Sequence, residues 1–484
     1  MSRALFVTVA TMVAVAPAAP TFAQQSHAGR FERQLREIER DTRLRINPDI
    51  PVDQRALLEY GGFFTFNFLA IDDTNQETHI LRQYDLNGYI RLNIDNVHQF
   101  FVRARTSYRD FNSGDAFDSH DDDSIEPTFD RAHYRFDLAR AVAGSQGRRI
   151  KGNVTFQGGR QLVHWANGLA LSLVLDGAVV GLSYHPFYVE LLAGRTREST
   201  IDIDSSRPGF NGDTKRAFYG AKIEVQAGAM HRPYVFGIIQ NDSNDNEVAT
   251  NIIADSTIAT RFEYESYYIG FGSSGNITDR MLYAAEIVFQ GGDGLSNSFD
   301  SATGAQITQT REDIEAFALD VRVNWLMTDL NNTRFTFEIL VASGDTDRLT
   351  TTNTLGGNQP GTDDHAFNGF GLINAGLAFA PNVSNLVMAR GGASMFPWPG
   401  NGMFRKLQVG ANLFLFNKFN RHAPIDELTT NDTYLGFETD FFVNWQVTSD
   451  LSVAMRYGIF FPGDAISVDH DERHFVYTGV TLAF

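Results

Sequence analysis

Residues 473–484 read RHFVYTGVTLAF. Taken in twos, Val476, Thr478, Val480, Leu482 and Phe484 share one face. Phe475, Tyr477, Gly479, Thr481 and Ala483 share the other. This is strand periodicity, and it runs to the last residue given. A terminal strand with no polar tail frays unless both its edges are paired. A closed barrel pairs both edges of every strand. The expectation is an all-β fold, a transmembrane antiparallel β-barrel, closed by this strand.

The opposite end says where such a barrel would sit. Arg3 precedes an apolar run from Ala4 to Ala16, followed by small residues and Thr21-Phe22-Ala23. That order is the order of a secretory signal peptide, so residues 1–23 are expected to be removed, leaving Gln24 first. The apolar run is shorter than the ~20 residues a spanning helix needs. No later stretch approaches that length without charge, so strands are the expected route across a membrane. The predicted location is the outer membrane.

Composition agrees. There is no cysteine, which suits an oxidising periplasmic passage. Removing Arg3 leaves 39 basic against 58 acidic residues, a net charge of −19, which argues against a nucleic-acid partner. Basic charge is almost all arginine, the side chain suited to crowded ion pairs and carboxylate recognition. The chain holds 40 Phe, 16 Tyr and 4 Trp, yet its mean hydropathy is below zero. Strands with one apolar and one polar face reconcile the two.

Residues 24–59 read as a periplasmic extension. Within it, RFERQLREIERDTRLRI (residues 30–46) places Phe31, Leu35, Ile38 and Thr42 at helical spacing, and Pro48 and Pro51 end the helix. From Tyr60 to Phe484 the pattern is strands of roughly 10–14 residues, the barrel itself. In DLNGYIRLNI (residues 85–94), Leu86, Gly88, Ile90, Leu92 and Ile94 oppose Asp85, Asn87, Tyr89, Arg91 and Asn93. Asp95-Asn96 then reads as a tight hairpin turn into the next strand. Short turns are expected near 95, 145, 186, 229, 276, 330, 400 and 448. Long polar loops are expected near 112–127, 198–213, 241–259, 292–311, 344–383, 417–432 and 462–472. Short on one side and long on the other is the habit of outer-membrane barrels, with the short turns periplasmic. GLINAGLAFA (residues 371–380) resembles a strand but breaks the alternation, so it is placed inside a long loop folded into the mouth. The tally is about 18 strands. A secreted two-sheet sandwich is the competing architecture, disfavoured by the aromatic excess and the terminal strand.

Catalytic and metal motifs are weak. GFGSSG (residues 270–275) matches G-x-G-x-x-G, but it reads as a strand end entering a turn and lacks the βαβ context of a dinucleotide site. The 12 histidines show no zinc spacing and there is no G-x-S-x-G elbow. DFNSGDAFDSHDDDSIE (residues 110–126) is acidic enough to suggest loop calcium, but it lacks the twelve-residue ligand spacing. No cofactor is expected.

Strand parity turns Arg91, Arg103, Arg105, Arg131, Arg135, Arg216, Arg261, Arg322, Arg334 and Arg456 inward. It also turns Glu263 and Glu265 inward. The paired Gly158 and Gly159 suggest a bulge that turns Arg160 toward the lumen. Each such charge serves equally well to brace the wall across strands. Arg103, Arg105, Arg131 and Arg135, however, cluster on two consecutive strands with few acids nearby. A patch of that kind favours an anionic solute in a narrow pore.

Several elements resemble the alginate-export family of outer-membrane barrels. They are Gly159-Arg160-Gln161, Asn167-Gly168 and Leu175-Asp176-Gly177, with LGFETDFFVNW (residues 435–445), FFPGD (residues 460–464) and the closing FVYTGVTLAF. The chain departs from the family pattern at Leu169-Ala170-Leu171, where an Arg-Leu pair is expected. The resemblance implies a monomeric 18-stranded porin with an arginine-rich pore that passes a uronate polymer. Tyr477, Gly479, Leu482 and Phe484 resemble the terminal signal read by the outer-membrane assembly machinery. The function expected is a passive, substrate-selective channel for an anionic saccharide, in export or uptake, and not an enzyme. Outer-membrane lipid and lipopolysaccharide are the other expected partners. The alternatives are an outer-membrane hydrolase with a site at the barrel rim and a non-conducting structural barrel.

Overall fold

A computed structural model describes residues 56–484, apart from 117–121, 198–199, 204–206, 208–209, 211, 213, 229, 245–247, 254–255, 296–297, 300–305, 349–351, 353–358 and 468–470. The expected signal peptide and the helix at 30–46 lie outside the described residues.

The first half of the wall comprises β1 (Ala56–Asp72), β2 (Thr78–Ile94), β3 (His98–Phe111), β4 (Asp123–Asp137), β5 (Gly152–His164), β6 (Ser172–Tyr184), β7 (Phe187–Thr196), β8 (Arg216–Val225) and β9 (His231–Asp242). A small hairpin, β10 (Val248–Ile253) with β11 (Ser256–Arg261), precedes β12 (Glu263–Thr278) and β13 (Met281–Leu295). The pair β14 (Ser298–Phe299) and β15 (Gln306–Ile307) leads to β16 (Arg311–Leu326), β17 (Arg334–Ala342) and β18 (Leu386–Met395). The wall ends with β19 (Leu407–Lys418), β20 (Tyr434–Gln446), β21 (Leu451–Pro462) and β22 (Arg473–Ala483).

Eighteen of these strands form one antiparallel sheet that closes where β22 pairs with β1, from Phe63↔Ala483 to Ile71↔Phe475. The backbones of Gly62 and Phe484 exchange two hydrogen bonds of 2.9 Å, so the terminal strand is paired to its last residue. Alternation follows the expected parity. Leu482 and Phe484 are exposed on the outside, and Tyr477 is buried with its hydroxyl donating to Asn67 at 2.7 Å. Gly479 is required by that geometry, because a Cβ there would sit 2.3 Å from the Tyr477 hydroxyl.

The outer face is apolar and exposed, as at Ile90, Phe100, Leu191, Ile269, Phe337 and Phe441. The inner face carries Gln83, Asp85, Gln290, Asp320, Glu338 and Glu438, all buried. Apolar outside and polar inside inverts a soluble sandwich and suits lipid. The competing two-sheet architecture is thereby excluded.

Short turns gather at one end and longer connections at the other, with short exceptions at 73–77 and 165–171. Asp95 and Asn96 both take positive φ, 53° and 55°, as a two-residue hairpin turn demands. Two details depart from expectation. The connection near 145 holds a helix, α1 (Leu138–Gln146), capped by Asp137 and closed by Gly147 at φ 64°. Gly270–Gly275 lies inside β12 and not at a strand end, which removes the helix a dinucleotide site would need.

Candidate functional site

The lumen is where the chemistry lies, and two connections fold into it. The β5–β6 loop (165–171) turns inward with Trp165, Leu169, Ala170 and Leu171 all buried. Asn167 at its tip reaches across to β13 and β16, its N–H donating to Glu286 at 2.9 Å and its side-chain amide to Asp320 at 2.8 Å. The second connection joins β17 to β18. Phe370 N–H donates to Ala170 C=O at 3.0 Å, and Leu372 N–H donates to Gly168 C=O at 2.9 Å, so the two loops are bonded to each other. Tyr268 of β12 donates to the Asn368 carbonyl at 2.6 Å, and Gln290 of β13 accepts from its N–H at 2.8 Å.

Residues 371–380 lie in this loop and form no strand, as the alternation argument expected. Glu438 of β20 receives the N–H groups of Leu377, Ala378 and Phe379. Phe379 stacks on Phe460 at 4.3 Å between centroids. A carboxylate accepting three N–H groups in a dry site is a strong anchor. The contiguous core of the molecule is therefore the packed contact between these loops and the inner wall.

The predicted arginines divide into four groups. Arg91, Arg103, Arg105, Arg131 and Arg135 lie on the lumen face of β2, β3 and β4, with Arg103 directly opposite Arg131 and Arg135 opposite Gln99. They are not short of acids, contrary to expectation. Arg91 pairs with Glu59 at 2.9 Å, Arg105 pairs with Asp85 at 2.9 Å, and Arg103 chelates Asp130. Asp130 is an extra residue between Phe129 and Arg131 where the β3–β4 register shifts, so a bulge admits a carboxylate that simple alternation would turn outward. The five arginines and the three carboxylates named here sum to +2 (5 − 3).

The second group braces the wall. Arg322 of β16 bonds Glu338 at 2.9 Å and Asp320 at 3.3 Å. Arg390 of β18 completes this ladder from the far side of Glu338 at 2.5 Å, a position the sequence reading missed. Arg456 donates to the Val443 and Met455 carbonyls, and Arg334 to Asn324 near the short-turn end.

Arg216 forms the third group. It faces inward but is fully buried between Asp202 at 2.7 Å and Asp242 at 2.9 Å, sealed from any solute.

The fourth group is misplaced by parity. Arg261 ends the β10–β11 hairpin beyond the wall and is exposed. Glu263 and Glu265 face outward, because the alternating Tyr264, Ser266 and Tyr268 are the buried inner residues. Arg160 also lies on the outer face, since its neighbours Gln161 and Val163 are the buried ones. Gly159 does adopt φ 122°, but the pairings of β5 with β4 and β6 show no register shift there. Alternation is therefore not reversed, and Arg160 binds Asp176 outside at 2.7 Å.

Among the described residues, one cluster has metal-ligating character: Asp73, Glu77 and His79 at the β1–β2 tip, with ligand atoms within 4.8 Å. His79 and Asp73 already pair there at 3.6 Å. In the acidic loop at 110–126, Asp115 holds the Ile80 N–H and Asp122 the Phe111 N–H, so both serve the backbone. Residues 117–121 lie outside the described residues.

No curated protein matches the chain. Among solved structures, Acinetobacter baumannii OccAB1 is similar at 12% identity, covering 88% of this chain and 96% of that one with a TM-score of 0.52. Pseudomonas aeruginosa OccK11 (OpdR) aligns at 9% identity over 90% and 99% of the two chains with a TM-score of 0.49. The first of these supports the barrel fold and nothing finer. The sequence pattern described as alginate export matches residues 192–476, more than half of the chain. With a closed 18-stranded barrel, apolar outside and polar within, this makes the protein an outer-membrane channel, and the chain belongs to the alginate export family.

Proposed function

We propose that the channel passes an anionic polysaccharide or oligosaccharide, of the uronate type, passively down its gradient. The observation that carries this reading is the +2 arginine row on the lumen face of β2–β4. A guanidinium meets a sugar carboxylate through two parallel hydrogen bonds, which supplies selectivity as well as attraction. Glu59, Asp85 and Asp130 share those guanidiniums, so an anion exchanges places with carboxylates already present and can leave again. Leu169-Ala170-Leu171 are buried within the inserted loop and offer a passing polymer no charge, which keeps the reading at anionic saccharide and not alginate alone.

The test is current blockade in planar bilayers by oligouronates and by neutral oligosaccharides of equal length. The expected result is longer and more frequent blockade by the oligouronates, weakening as salt rises. Equal blockade by both would overturn the anionic substrate. Absence of any conductance would favour the structural-barrel alternative.

A further inference from the structure

Aromatic rings on the inner wall fall into two sets. Phe218, Phe236, Tyr268 and Phe460 are buried in the core where the inserted loops meet the wall. Phe63 of β1, Tyr89 of β2 and Phe101 of β3 lie outside that core and are only half-buried. His133 of β4, also half-buried, joins them. Tyr89 alternates in step with Arg91, Phe101 with Arg103, and His133 with Arg131 and Arg135, so all three rings face the lumen.

These rings are aligned. Arg91, Phe101 and His133 stand in one register row across β2, β3 and β4, and Tyr89 and Arg103 stand in the adjacent row. The ring centroids of Tyr89 and Phe101 are 6.3 Å apart, with planes 25° from parallel. Those of Phe101 and His133 are 5.4 Å apart at 35°. Beyond His133 the row continues into Gly159 of β5 and Gly177 of β6, so no side chain of that row overhangs the strip. Guanidiniums flank it: Arg91 lies over Phe101 and Arg103 over Phe63, each 5.9 Å from the ring centroid. Both are fixed in turn by Glu59 and Asp130.

Such a strip is out of place on a wetted wall, because barrels of this kind have polar interiors. Under the inserted loops an inner ring gains by burial, but the half-buried rings of β2–β4 lack that gain. Cation–π bracing needs one ring for each guanidinium and gives no reason to align three. A pyranose has the matching character. The C–H groups of its ring make an apolar face, and its hydroxyl and carboxyl groups stand around the rim. That face packs on aromatic rings while the rim meets polar side chains.

We propose that Tyr89, Phe101 and His133 form a sugar-stacking strip, which holds the ring face of a uronate while Arg91 and Arg103 meet its carboxylate. This rests on the reading that the solute is an anionic saccharide, and it names what the wall recognises besides charge. An acyclic polyanion satisfies the guanidiniums and leaves the rings unused, so the strip favours cyclic acids over linear ones. Strands tilted by about 40° make the row climb the wall obliquely, so a polymer laid along it also advances through the pore.

Blockade residence times of the full-length protein in planar bilayers test it, with three probes of similar length: an oligouronate, a neutral oligosaccharide and an oligoglutamate. The wild type should hold the oligouronate longer than the oligoglutamate. Equal residence of these two overturns the strip without any variant. Tyr89→Leu and Phe101→Leu should each lower the ratio of the two residence times roughly two- to tenfold, the worth of one ring contact. Tyr89→Phe keeps the ring and should keep the ratio. Heat-modifiable gel mobility reads whether each variant is a folded barrel. Should Phe101→Leu fail to fold, the two Tyr89 variants carry the comparison. An unchanged ratio in the folded leucine variants overturns the strip, and equal shortening of both residence times would mean that the rings only place the arginines. The anionic reading fails separately, when the wild type holds the oligouronate and the neutral oligosaccharide equally. The leucine variants should then still shorten the residence of both saccharides, and unchanged residence overturns the strip as well. Absence of blockade by either saccharide overturns both.

Discussion

Asn167, at the tip of the inserted β5–β6 loop, donates its backbone N–H to Glu286 of β13 at 2.9 Å. The same carboxylate accepts from Tyr234 of β9, two strands along the wall, at 2.7 Å, so one wall residue holds both that strand and the loop. Glu286→Ala removes a bond to a charged acceptor worth about 1.5–3 kcal/mol. The displaced loop should then be populated roughly 10–100 times more. Single-channel records should show larger mean conductance and faster flicker than the wild type. Unchanged conductance would mean the loop does not limit the path.

Glu438 holds the second loop by three consecutive N–H groups, and Gly376 permits the turn that presents them. Gly376 has φ 89°, and a Cβ there would lie 2.7 Å from the Glu438 carboxylate. Glu438→Ala leaves those donors buried without an acceptor, at about 1–3 kcal/mol each before the loop relaxes. Residues 371–380 should become cleavable by protease added from outside, while the barrel keeps its heat-modifiable mobility. A protected loop in that variant would place its anchorage in the Phe379–Phe460 stack instead.

Much of this was legible in the sequence, and the failures have distinct physical causes. Period-two alternation gave the barrel, its closure through residues 473–484 and the lumen side of Arg91, Arg103 and Arg105. The short–long rhythm of connections kept residues 371–380 out of the strand count. Alternation fails where a strand gains a residue or its true start is misjudged. Asp130 enters the lumen through a bulge, and Glu263 and Glu265 turn outward on a strand whose start lay hidden behind a polar loop. Arg160 was misread because a Gly-Gly pair signals close backbone approach as readily as a bulge; a Cβ on Gly159 would meet the Ala132 carbonyl at 2.2 Å. The loop anchors were not legible at all. Asn167 and Glu286 are 119 residues apart, and no local pattern links them.

The acids beside the arginine row change what its mutation should do. Replacing Arg103 and Arg105 with Ala lowers the lumen row from +2 to 0, so reversal potentials should move toward cations, most clearly at low salt. Asp85 is only 4% exposed and also accepts from Asn67 and Gln83, so losing Arg105 leaves a poorly solvated carboxylate behind. The double variant should therefore lose stability as well, by about 1–3 kcal/mol. Arg135→Ala offers a cleaner comparison, because that side chain is exposed to the lumen. Selectivity unaffected by all three substitutions would reduce the row to a brace.

Asp345, where the long β17–β18 connection begins, gives the inserted loop a dependence on pH. It is 2% exposed, and burial pushes its carboxyl up to about 6. The groups around it are Arg348, Asp347 and Asp364, with Arg348 ion-paired to Asp364. The unfolded carboxyl titrates near 3.9. The raised folded value means that the neutral form is favoured in place, so its stabilising contribution is full below about pH 4. That contribution fades as pH rises through about 6, a loss on the order of 3 kcal/mol. His365 acts in the same sense: its raised value, due mainly to the Glu315 carbonyl, favours the charged ring, whose contribution is lost as pH climbs above that value. Hydrogen exchange across residues 343–348 and 359–370 should thus be slower at pH 5 than at pH 7.5, once corrected for intrinsic chemistry. Asp345→Asn should hold the segment at both values, leaving only the smaller slope from His365. An opposite slope, with protection rising toward neutral pH, would mean that the Asp345 carboxylate is charged in place and paired to Arg348.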